Sequence, residues 1–461
     1  METLTLRQLL QAVNGTLLGS FDDLDTTVDS LDTDSRNIHP GSVFLPLSGE
    51  RFDGHAYINS ALEAGAAGCF TARERDSYLP GKFYIKVANT QRALRDLAAW
   101  YLARFNIPVI GVTGSVGKTT TKDMLAAVLG VKYRVLKTEG NFNNKVGLPL
   151  TILRLDSSHE ICVLEMGMSQ AGEIAYLSDI AKPDVAVISN VGDAHIENLG
   201  SRENILKAKC EIFTGLKPEG VVVLNGDDEL LNTIAVGQEM VRCGQSELCG
   251  WRAVQTEQTD GGRTLCTAQT PLGRLELDIP AMGAHMIYPA LMAAAVGARF
   301  GLTPVEILDG IQRFKPTKMR MDVIRRGQDI TILNDTYNAN PQSMRAAIGI
   351  LADSKRNFKL AVLGDMFELG SLAPILHREV GECLGRAGID CLVAVGELSV
   401  HIADGARAAG VANVVHCPDK EAAKPVLAEK LRPDTIVLVK ASRGMAMEQL
   451  VDYLKEITTE E

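Results

Sequence analysis

A glycine-rich segment placed between an apolar run and a helix-like run constrains the fold more than any other feature of this sequence. It reads TGSVGKTT over residues 113–120 and follows the β-branched run at 108–112. The glycines let backbone N–H groups approach an anion, and a helix beginning near Lys118 adds the positive end of its dipole. The order of strand, glycine loop and helix predicts a phosphate-binding loop in a parallel α/β sheet, with Lys118 on the phosphates and the Thr119 hydroxyl on magnesium.

The loop departs from the common pattern G-x-x-x-x-G-K-[ST], which places a glycine where this chain has Val112. An ordinary glycine turn before a lysine is therefore the alternative interpretation. The apolar residues Met124, Leu125 and Val128 recur with helical spacing after the loop and favour the phosphate site. We expect nucleotide contacts from Thr113, Gly114, Ser115, Val116, Gly117, Lys118, Thr119 and Thr120.

Length and charge limit the remaining possibilities. A chain of 461 residues is too long for one hydrophobic core. Its formal net charge of -10 argues against nucleic acid or an anionic membrane surface as the main partner. No apolar stretch is long enough to span a bilayer, and the first residues lack a basic segment followed by an apolar one. We expect a cytoplasmic protein that is not inserted in a membrane and acts as a monomer.

Three regions of different pattern predict three α/β domains. Region 1–104 mixes short apolar strands with turns and predicts a small N-terminal domain. Region 105–313 alternates strands and helices, as a doubly wound parallel sheet does, with hairpins at 250–280 around a turn at 260–262. The alternation restarts in region 314–461, which lacks G-x-G-x-x-G and predicts a Rossmann-like domain without a dinucleotide.

Polar residues follow the predicted strands of the central domain, where ligands bind in open parallel sheets. Glu165 and Asn190 each end a strand-like run, and His195 lies in the loop beyond Asn190. A carboxylate at this place in a P-loop protein holds magnesium directly or through water, so we favour a metal role over an exposed carboxylate for Glu165. Two interpretations of His195 stay open at this point: an ordinary surface residue and a functional residue of the site. For Lys209, on the helix-like run 203–215, the simplest interpretation is a solvent-exposed side chain.

Taken together, these residues resemble the Mur ligases, the ATP-dependent amide-forming enzymes that build the peptide of bacterial peptidoglycan. The matching segments are the loop at 113–120, EMGM at 165–168, NVGDAH at 190–195 and AKCEI at 208–212. DSR at 34–36 and GERFDGH at 49–55 look like the family's UDP-binding domain. The resemblance therefore implies substrate contacts by Ser35, Arg36 and Gly49.

A segment of the third domain narrows the resemblance within the family. NDTYNANPQSM at 334–344 looks like the D-[STC]-Y-N-A-N-P-x-S-M segment of members that attach D-alanyl-D-alanine to a UDP-N-acetylmuramoyl-tripeptide. LGDMFELG at 363–370 and VKASRGMAME at 439–448 agree with it. The third tripeptide residue can be diaminopimelate or lysine. A member that adds a single amino acid, one that adds glutamates to a folate, and a non-catalytic P-loop switch are the alternatives.

One departure from the family concerns the adenine. After His285 the family commonly has an asparagine pair near the base, where this chain has Met286 and Pro289. The adenine contacts of this chain therefore stay open, while the ligase resemblance does not depend on them.

The resemblance also implies a mechanism. The tripeptide carboxylate would attack the ATP γ-phosphate, and the amine of D-alanyl-D-alanine would attack the resulting acyl phosphate. Thr119 and Glu165 would hold one magnesium ion; Glu165, His195 and an N-carbamylated Lys209 would hold a second. Lys118 would contact the β- and γ-phosphates. Further expected contacts are Asn141 and Arg320 at the transferred phosphoryl group, Asn190, His285, Asp335 and Asn338 at the nucleotide, and Asn143 and Asn144 at the substrate.

Overall fold

The computed structural model describes residues 1–49, 52–259, 262–327 and 329–458. These residues form three α/β domains, which confirms the predicted fold class. Glu50 and Arg51 of the expected UDP segment, and Asp260 and Gly261 of the expected hairpin turn, lie outside the described residues.

The N-terminal domain is built on a sheet of five short strands in the order β2-β9-β8-β5-β4, with β1 paired to β3 and β6 paired to β7. Its last helix buries Leu94, Leu97 and Tyr101, and the Tyr101 hydroxyl donates a 2.6 Å hydrogen bond to the Leu155 carbonyl of the central domain. The elements are β1 (Leu4–Thr5), α1 (Leu6–Val13), β2 (Thr16–Leu18), β3 (Thr27–Val28), β4 (Leu31–Asp32), β5 (Val43–Phe44), β6 (Ser48–Gly49), β7 (Phe52–Asp53), α2 (Ile58–Glu63), β8 (Gly68–Thr71), β9 (Phe83–Lys86) and α3 (Thr90–Leu102).

The central domain contains a nine-stranded sheet in the order β11-β12-β10-β13-β14-β15-β16-β17-β18. The strands are parallel as far as β16, and the antiparallel strands β17 and β18 extend the same sheet. The elements are β10 (Val109–Thr113), α4 (Lys118–Leu129), β11 (Val135–Lys137), α5 (Gly147–Ile152), β12 (Ile161–Glu165), α6 (Glu173–Ala181), β13 (Val185–Ile188), α7 (Ile196–Leu199), α8 (Arg202–Cys210), β14 (Val221–Asn225), β15 (Glu239–Gly244), β16 (Trp251–Gln258), β17 (Thr264–Thr270), β18 (Gly273–Ile279), α9 (Ile287–Arg299) and α10 (Pro304–Gln312).

Strand β10 lies between β12 and β13, and this order positions the site. The chain runs from β10 outward to β11 and β12 on one side, then crosses to β13 and β14 on the other. Every residue of β10, β12 and β13 is buried, as expected for parallel strands covered on both faces. The crossover leaves a crevice at the carboxyl end of β10, where the glycine loop begins.

The C-terminal domain has a six-stranded sheet in the order β19-β20-β24-β21-β22-β23, parallel except for its edge strand β19. Its elements are β19 (Asp322–Arg326), β20 (Ile330–Asp335), α11 (Pro341–Asp353), β21 (Phe358–Gly364), α12 (Ala373–Arg386), β22 (Cys391–Val395), α13 (Ser399–Ala408), β23 (Asn413–Cys417), α14 (Lys420–Lys430), β24 (Thr435–Lys440) and α15 (Glu448–Ile457). In the described part of the chain, no helix combines the length and apolarity needed to cross a membrane.

The linker between the central and C-terminal domains is tied to the helix that follows the glycine loop. The Thr317 hydroxyl of the linker donates a 2.6 Å hydrogen bond to Asp123 Oδ2 on α4. The Lys137 ammonium donates to the other oxygen of the same carboxylate, also at 2.6 Å. The linker therefore leaves the central domain beside the glycine loop, and brings Arg320 back toward it.

Candidate active site

A cavity of about 1030 Å³ lies between the central and C-terminal domains, at the carboxyl ends of the central parallel strands. It is the place where the topology predicts a ligand. Residues from both domains form its wall. The expected site residues that line it are Ser115, Val116, Gly117, Lys118, Thr119, Thr120, Asn143, Asn144, Glu165, Asn190, His195, His285, Arg320, Asp335 and Asn338.

Seven of the expected site residues do not line this cavity. Thr113 is buried as the last residue of β10, where its hydroxyl donates a 2.9 Å hydrogen bond to the Met166 carbonyl. Gly114 is buried next to it, Asn141 is exposed on the loop after β11, and Lys209 is buried. The last three, Ser35, Arg36 and Gly49, belong to the N-terminal domain, where Arg36 is paired with Asp34 at 2.7 Å.

The glycine loop has a backbone that only particular residues tolerate. Gly114 has a φ of 151° and Gly117 a φ of 80°, where Gly117 also precedes the first turn of α4. A Cβ on Gly114 would lie 3.1 Å from the Cβ of Ser189 and would collide with its hydroxyl oxygen. The Lys118 ammonium donates to the Gly114 carbonyl at 2.8 Å. Burial lowers the pKa of Lys118, and Glu165 opposes this shift.

A second loop holds the glycine loop in place from the side of β13. The Ser189 hydroxyl donates to the Val116 carbonyl at 2.6 Å. The Asn190 side chain accepts from the Val116 N–H and donates to the Val116 carbonyl, each at 2.9 Å. Because both polar atoms of the Asn190 amide contact Val116, Asn190 helps to set the shape of the glycine loop.

Glu165 provides the clearest cation site in the cavity. Its side chain is buried at 2% exposure; Oε1 accepts a 2.8 Å hydrogen bond from Asn143, and Oε2 is buried with no hydrogen-bond partner among the described residues. A buried carboxylate oxygen without a partner is costly unless a cation compensates it. Oxygen ligands of this kind, together with the Thr119 hydroxyl on the same cavity wall, suit Mg²⁺.

The two asparagines expected at the substrate have other contacts in this structure. Asn143 orients Glu165, as described above. The Asn144 side chain accepts from the Gly147 N–H at 2.9 Å and from the Val146 N–H at 3.1 Å, and so supports the start of α5. Both residues nevertheless line the cavity.

The solvent-exposed interpretation of Lys209 is wrong. The side chain is 1% exposed on α8, and within the described residues it makes neither a hydrogen bond nor an ion pair. Burial lowers the pKa of the Lys209 ammonium well below its usual value; Lys118 adds repulsion, and Asp228 opposes the shift. The environment therefore favours a neutral amine, which is nucleophilic.

His195 is contacted from the other domain. The residue has a φ of 63° and precedes α7, and its Nδ1 lies 2.6 Å from Glu368 Oε2. The oxygen is close to the ring nitrogen but outside hydrogen-bond geometry among the described residues. This contact lowers the pKa of Glu368. Sequence reasoning missed Glu368. It lies shortly after β21, at the carboxyl end of the C-terminal sheet, where Asp335 and Lys440 also lie.

The C-terminal domain supplies cations to the cavity. The Arg320 guanidinium lies 4.1 Å from the centre of the Tyr337 ring, and its Nε is buried without a hydrogen bond in the described residues. Asp335 Oδ2 accepts a 2.5 Å hydrogen bond from Lys440, which is 2% exposed at the end of β24. The Asn338 side chain accepts from the Ala339 N–H at 2.9 Å. Lys440 was not expected at the site, although its strand-end position is the signal that identified Glu165.

Fold and site together define a P-loop nucleotide-binding protein of three α/β domains, with its site between the second and third. Family models match most of the chain: the Mur ligase family catalytic domain at 27–101, the Mur ligase middle domain at 112–297, and the Mur ligase glutamate ligase domain at 319–443. The chain belongs to the Mur ligase family.

Individual relatives are similar over their full length. The chain is 41% identical to the UDP-N-acetylmuramoyl-tripeptide--D-alanyl-D-alanine ligase of Bacillus subtilis, covering 98% of each chain. A crystal structure of MurF from Acinetobacter baumannii superposes with a TM-score of 0.92 at 31% identity, covering 99% of each chain. The MurF ligase from Thermotoga maritima, solved in complex with ADP, has a TM-score of 0.84 at 31% identity, covering 93% of this chain and 97% of that one.

Proposed function

We propose that this protein is an ATP-dependent ligase that joins D-alanyl-D-alanine to the carboxylate of UDP-N-acetylmuramoyl-tripeptide, in the last cytoplasmic step of UDP-muramoyl-pentapeptide synthesis. One observation carries the proposal: the glycine loop and Glu165 face Arg320 and Lys440 across a single cavity. The full-length identity to relatives named for this activity supports the choice of substrates.

Amide formation needs activation, because a carboxylate is a poor electrophile. In the proposed first step a tripeptide carboxylate oxygen attacks the γ-phosphorus of ATP, the bond to the β-phosphate oxygen breaks, and ADP leaves. The amine of D-alanyl-D-alanine then attacks the acyl carbon, the bond to phosphate breaks, and the amine proton passes to solvent. Lys118 and Arg320 stabilise the charge that builds up on the phosphoryl oxygens, and such positioned cations are the main source of rate enhancement in this chemistry.

The residues present fit a first magnesium ion. Glu165 Oε2 is the buried oxygen without a partner, and the Thr119 hydroxyl lies on the same cavity wall. Bound magnesium would supply charge neutralisation at the phosphates. Asn143 would then serve the metal site, since it fixes the other oxygen of the Glu165 carboxylate.

A second ion would need a further anionic ligand. The described residues contain no group of three or more His, Cys, Asp or Glu side chains that could hold a metal ion. Lys209 would supply the missing charge if its neutral amine attacked carbon dioxide and lost a proton, which gives a carbamate with two oxygen ligands. Its burial and lowered pKa support this reaction. Glu165, His195 and carbamylated Lys209 would then hold the second magnesium.

We also propose the division of labour among the domains. Residues 1–104 would bind the UDP end of the substrate with Ser35, Arg36 and Gly49, residues 105–313 would bind ATP, and residues 314–461 would bring Arg320 and Asp335 to it. Asn141 and His285 keep their proposed roles near the phosphoryl group and the nucleotide. The Met286 and Pro289 side chains on the cavity wall support an adenine site without the asparagine pair.

The test is amine-dependent phosphate release from ATP. We expect ADP and phosphate only when a UDP-muramoyl-tripeptide and D-alanyl-D-alanine are both present, with the pentapeptide product confirmed by mass spectrometry. Tripeptides with diaminopimelate or lysine at position three identify the preferred substrate. Turnover with a free amino acid or a folate instead would select another ligase of the family, and amine-independent hydrolysis would select a P-loop switch.

A further inference from the structure

The linker between α10 and β19, residues 313–321, is held on the C-terminal domain by the two residues that flank Arg320. Met319 and Met321 both have left-handed backbone, with φ values of 64° and 53°. The Met319 carbonyl accepts a 3.1 Å hydrogen bond from the Tyr337 N–H, and the Met321 N–H donates to Asp335 Oδ1 at the same distance. Left-handed backbone is unfavourable for residues other than glycine, so these contacts keep the linker in its shape.

Lys440 supports the segment on which the linker lies. It is the register partner of Asp335, at the end of the neighbouring parallel strand. Its ammonium donates to Asp335 Oδ2 at 2.5 Å and to the Asn338 carbonyl at 2.9 Å, and the residue is 2% exposed. The Asp335 carboxylate thus has one oxygen on Lys440 and the other on the Met321 N–H. Without the ammonium, this carboxylate would be free to rotate away from the linker.

We propose that Lys440 is a positioning residue that acts through Asp335 and the linker to hold Arg320 at the phosphates. The Arg320 guanidinium stacks on the Tyr337 ring but, within the described residues, makes neither a hydrogen bond nor an ion pair. Its direction therefore depends on the ring and on the backbone that carries it. Lys440 itself adds little net charge at the phosphates, because Asp335 neutralises it. The inference rests on the proposed function, in which Arg320 stabilises the transferred phosphoryl group.

Two other roles of Lys440 predict different kinetics. A lysine that contacted the phosphates directly would still matter after the Arg320 side chain is removed. A lysine that served only a nucleotide contact of Asp335 would raise the KM for ATP and leave kcat unchanged. A lysine that acts through Arg320 lowers kcat, and its loss has no further effect once the Arg320 side chain is gone.

The experiment is a double-mutant cycle of Lys440→Met and Arg320→Ala, measured as amine-dependent phosphate release by the full-length protein. Lys440→Met should lower kcat about 100-fold, the effect of a displacement of about 1 Å at the reacting groups. In the Arg320→Ala background the same change should cost less than about 2-fold. Lys420→Met is the matched control and should leave kcat unchanged. Lys420 is half-buried in the same domain, and its ammonium donates to the Met445 carbonyl at 2.9 Å.

A second measurement needs no turnover. Limited trypsin digestion with mass spectrometry reports release of the linker, which contains the cleavage sites Lys318 and Arg320. Lys440→Met should speed cleavage there about 10-fold or more, because the closed linker loses support from a hydrogen bond between charged groups. Lys420→Met should leave the cleavage rate unchanged. Lys440→Gln, which keeps one hydrogen-bond donor, takes the place of Lys440→Met if the latter does not fold.

The outcomes separate this inference from the proposed function. A wild-type protein without amine-dependent phosphate release would remove the proposed function, and trypsin cleavage would then decide whether Lys440 holds the linker. With an active wild type, three results would each overturn the inference alone: equal losses of kcat with and without the Arg320 side chain, a raised KM for ATP at unchanged kcat, or unchanged cleavage of the linker. Failure of both Lys440 variants to fold would make Lys440 a residue of the folded core only, and would also overturn it.

Discussion

The two glycines of the phosphate loop should respond differently to the same substitution. Gly114→Ala places a methyl group against Ser189 and also imposes a φ of 151° on a residue with a side chain. The strained backbone of an alanine at this φ costs about 1–3 kcal/mol, and the overpacking against Ser189 costs about another 1–3 kcal/mol. If the loop must return to its native shape to bind phosphate, these costs correspond to a loss of affinity between about 30-fold and about 20,000-fold.

Gly117→Ala is the matched comparison. Gly117 has a φ of 80°, and among the described residues nothing other than its chain neighbours lies within 4 Å of the position of its Cβ. Only the left-handed backbone is then unfavourable, at about 1–2 kcal/mol, which corresponds to a loss of about 5-fold to 30-fold. Isothermal titration calorimetry with ADP measures both variants, and thermal unfolding without nucleotide shows whether each is folded.

A double variant tests the steric part of the explanation. Adding Ser189→Ala to Gly114→Ala removes the hydroxyl with which the methyl group collides, so ADP affinity should recover in part, although the hydrogen bond from Ser189 to Val116 is lost. Equal losses of ADP affinity in Gly114→Ala and Gly117→Ala, with no recovery in the double variant, would refute the reasoning.

Three other substitutions test residues outside the glycine loop. Lys209→Ala should abolish phosphate release, and added acetate should restore part of it by replacing the carbamate; an alanine variant with full activity would contradict the carbamate. Arg320→Ala should lower turnover at least 100-fold, about 3 kcal/mol of transition-state stabilisation, with an unchanged melting temperature, and normal turnover would remove its proposed role. Thr317→Val should lower the free energy of unfolding, measured in urea, by about 1–3 kcal/mol, because Asp123 loses a hydrogen-bond donor. Thr317→Ser, which keeps the hydroxyl donor, should leave the free energy of unfolding unchanged.

The parts of the fold that the sequence predicted are those with a strong local signal. The apolar strand, glycine loop and helix at 108–129 are predicted from neighbouring residues alone, and β10 and α4 lie there. The prediction missed α14, which contains Pro425, a residue that normally interrupts a helix. It also missed β15, where only Met240 and Val241 of the first four residues are apolar and all four are exposed or half-buried. The helix predicted over 203–215 ends at Cys210 and continues as a 3₁₀ turn.

The candidate site was predictable where strand ends meet, and less so where the site depends on packing between distant segments. Glu165 and Asn190 follow their strands, and the topology brings both to the cavity. The burial of Lys209 depends on how α8 packs, since a lysine on a polar helix normally points to water. The contact of Glu368 with His195 joins two domains, and no sequence pattern within either segment predicts it.

The cations that line the cleft, Lys118 and Arg320, have a consequence for how a nucleotide reaches the protein. The molecule as a whole carries a formal charge of -10 and repels an anion at long range, while the cleft attracts the same anion at short range. Salt screens the long-range repulsion more than the short-range attraction, because the Debye length is about 8 Å at physiological ionic strength and buried charges are screened less. Moderate salt should therefore speed the association of ATP, because it screens the long-range repulsion. Salt should slow the association only at concentrations that also screen the attraction inside the cleft.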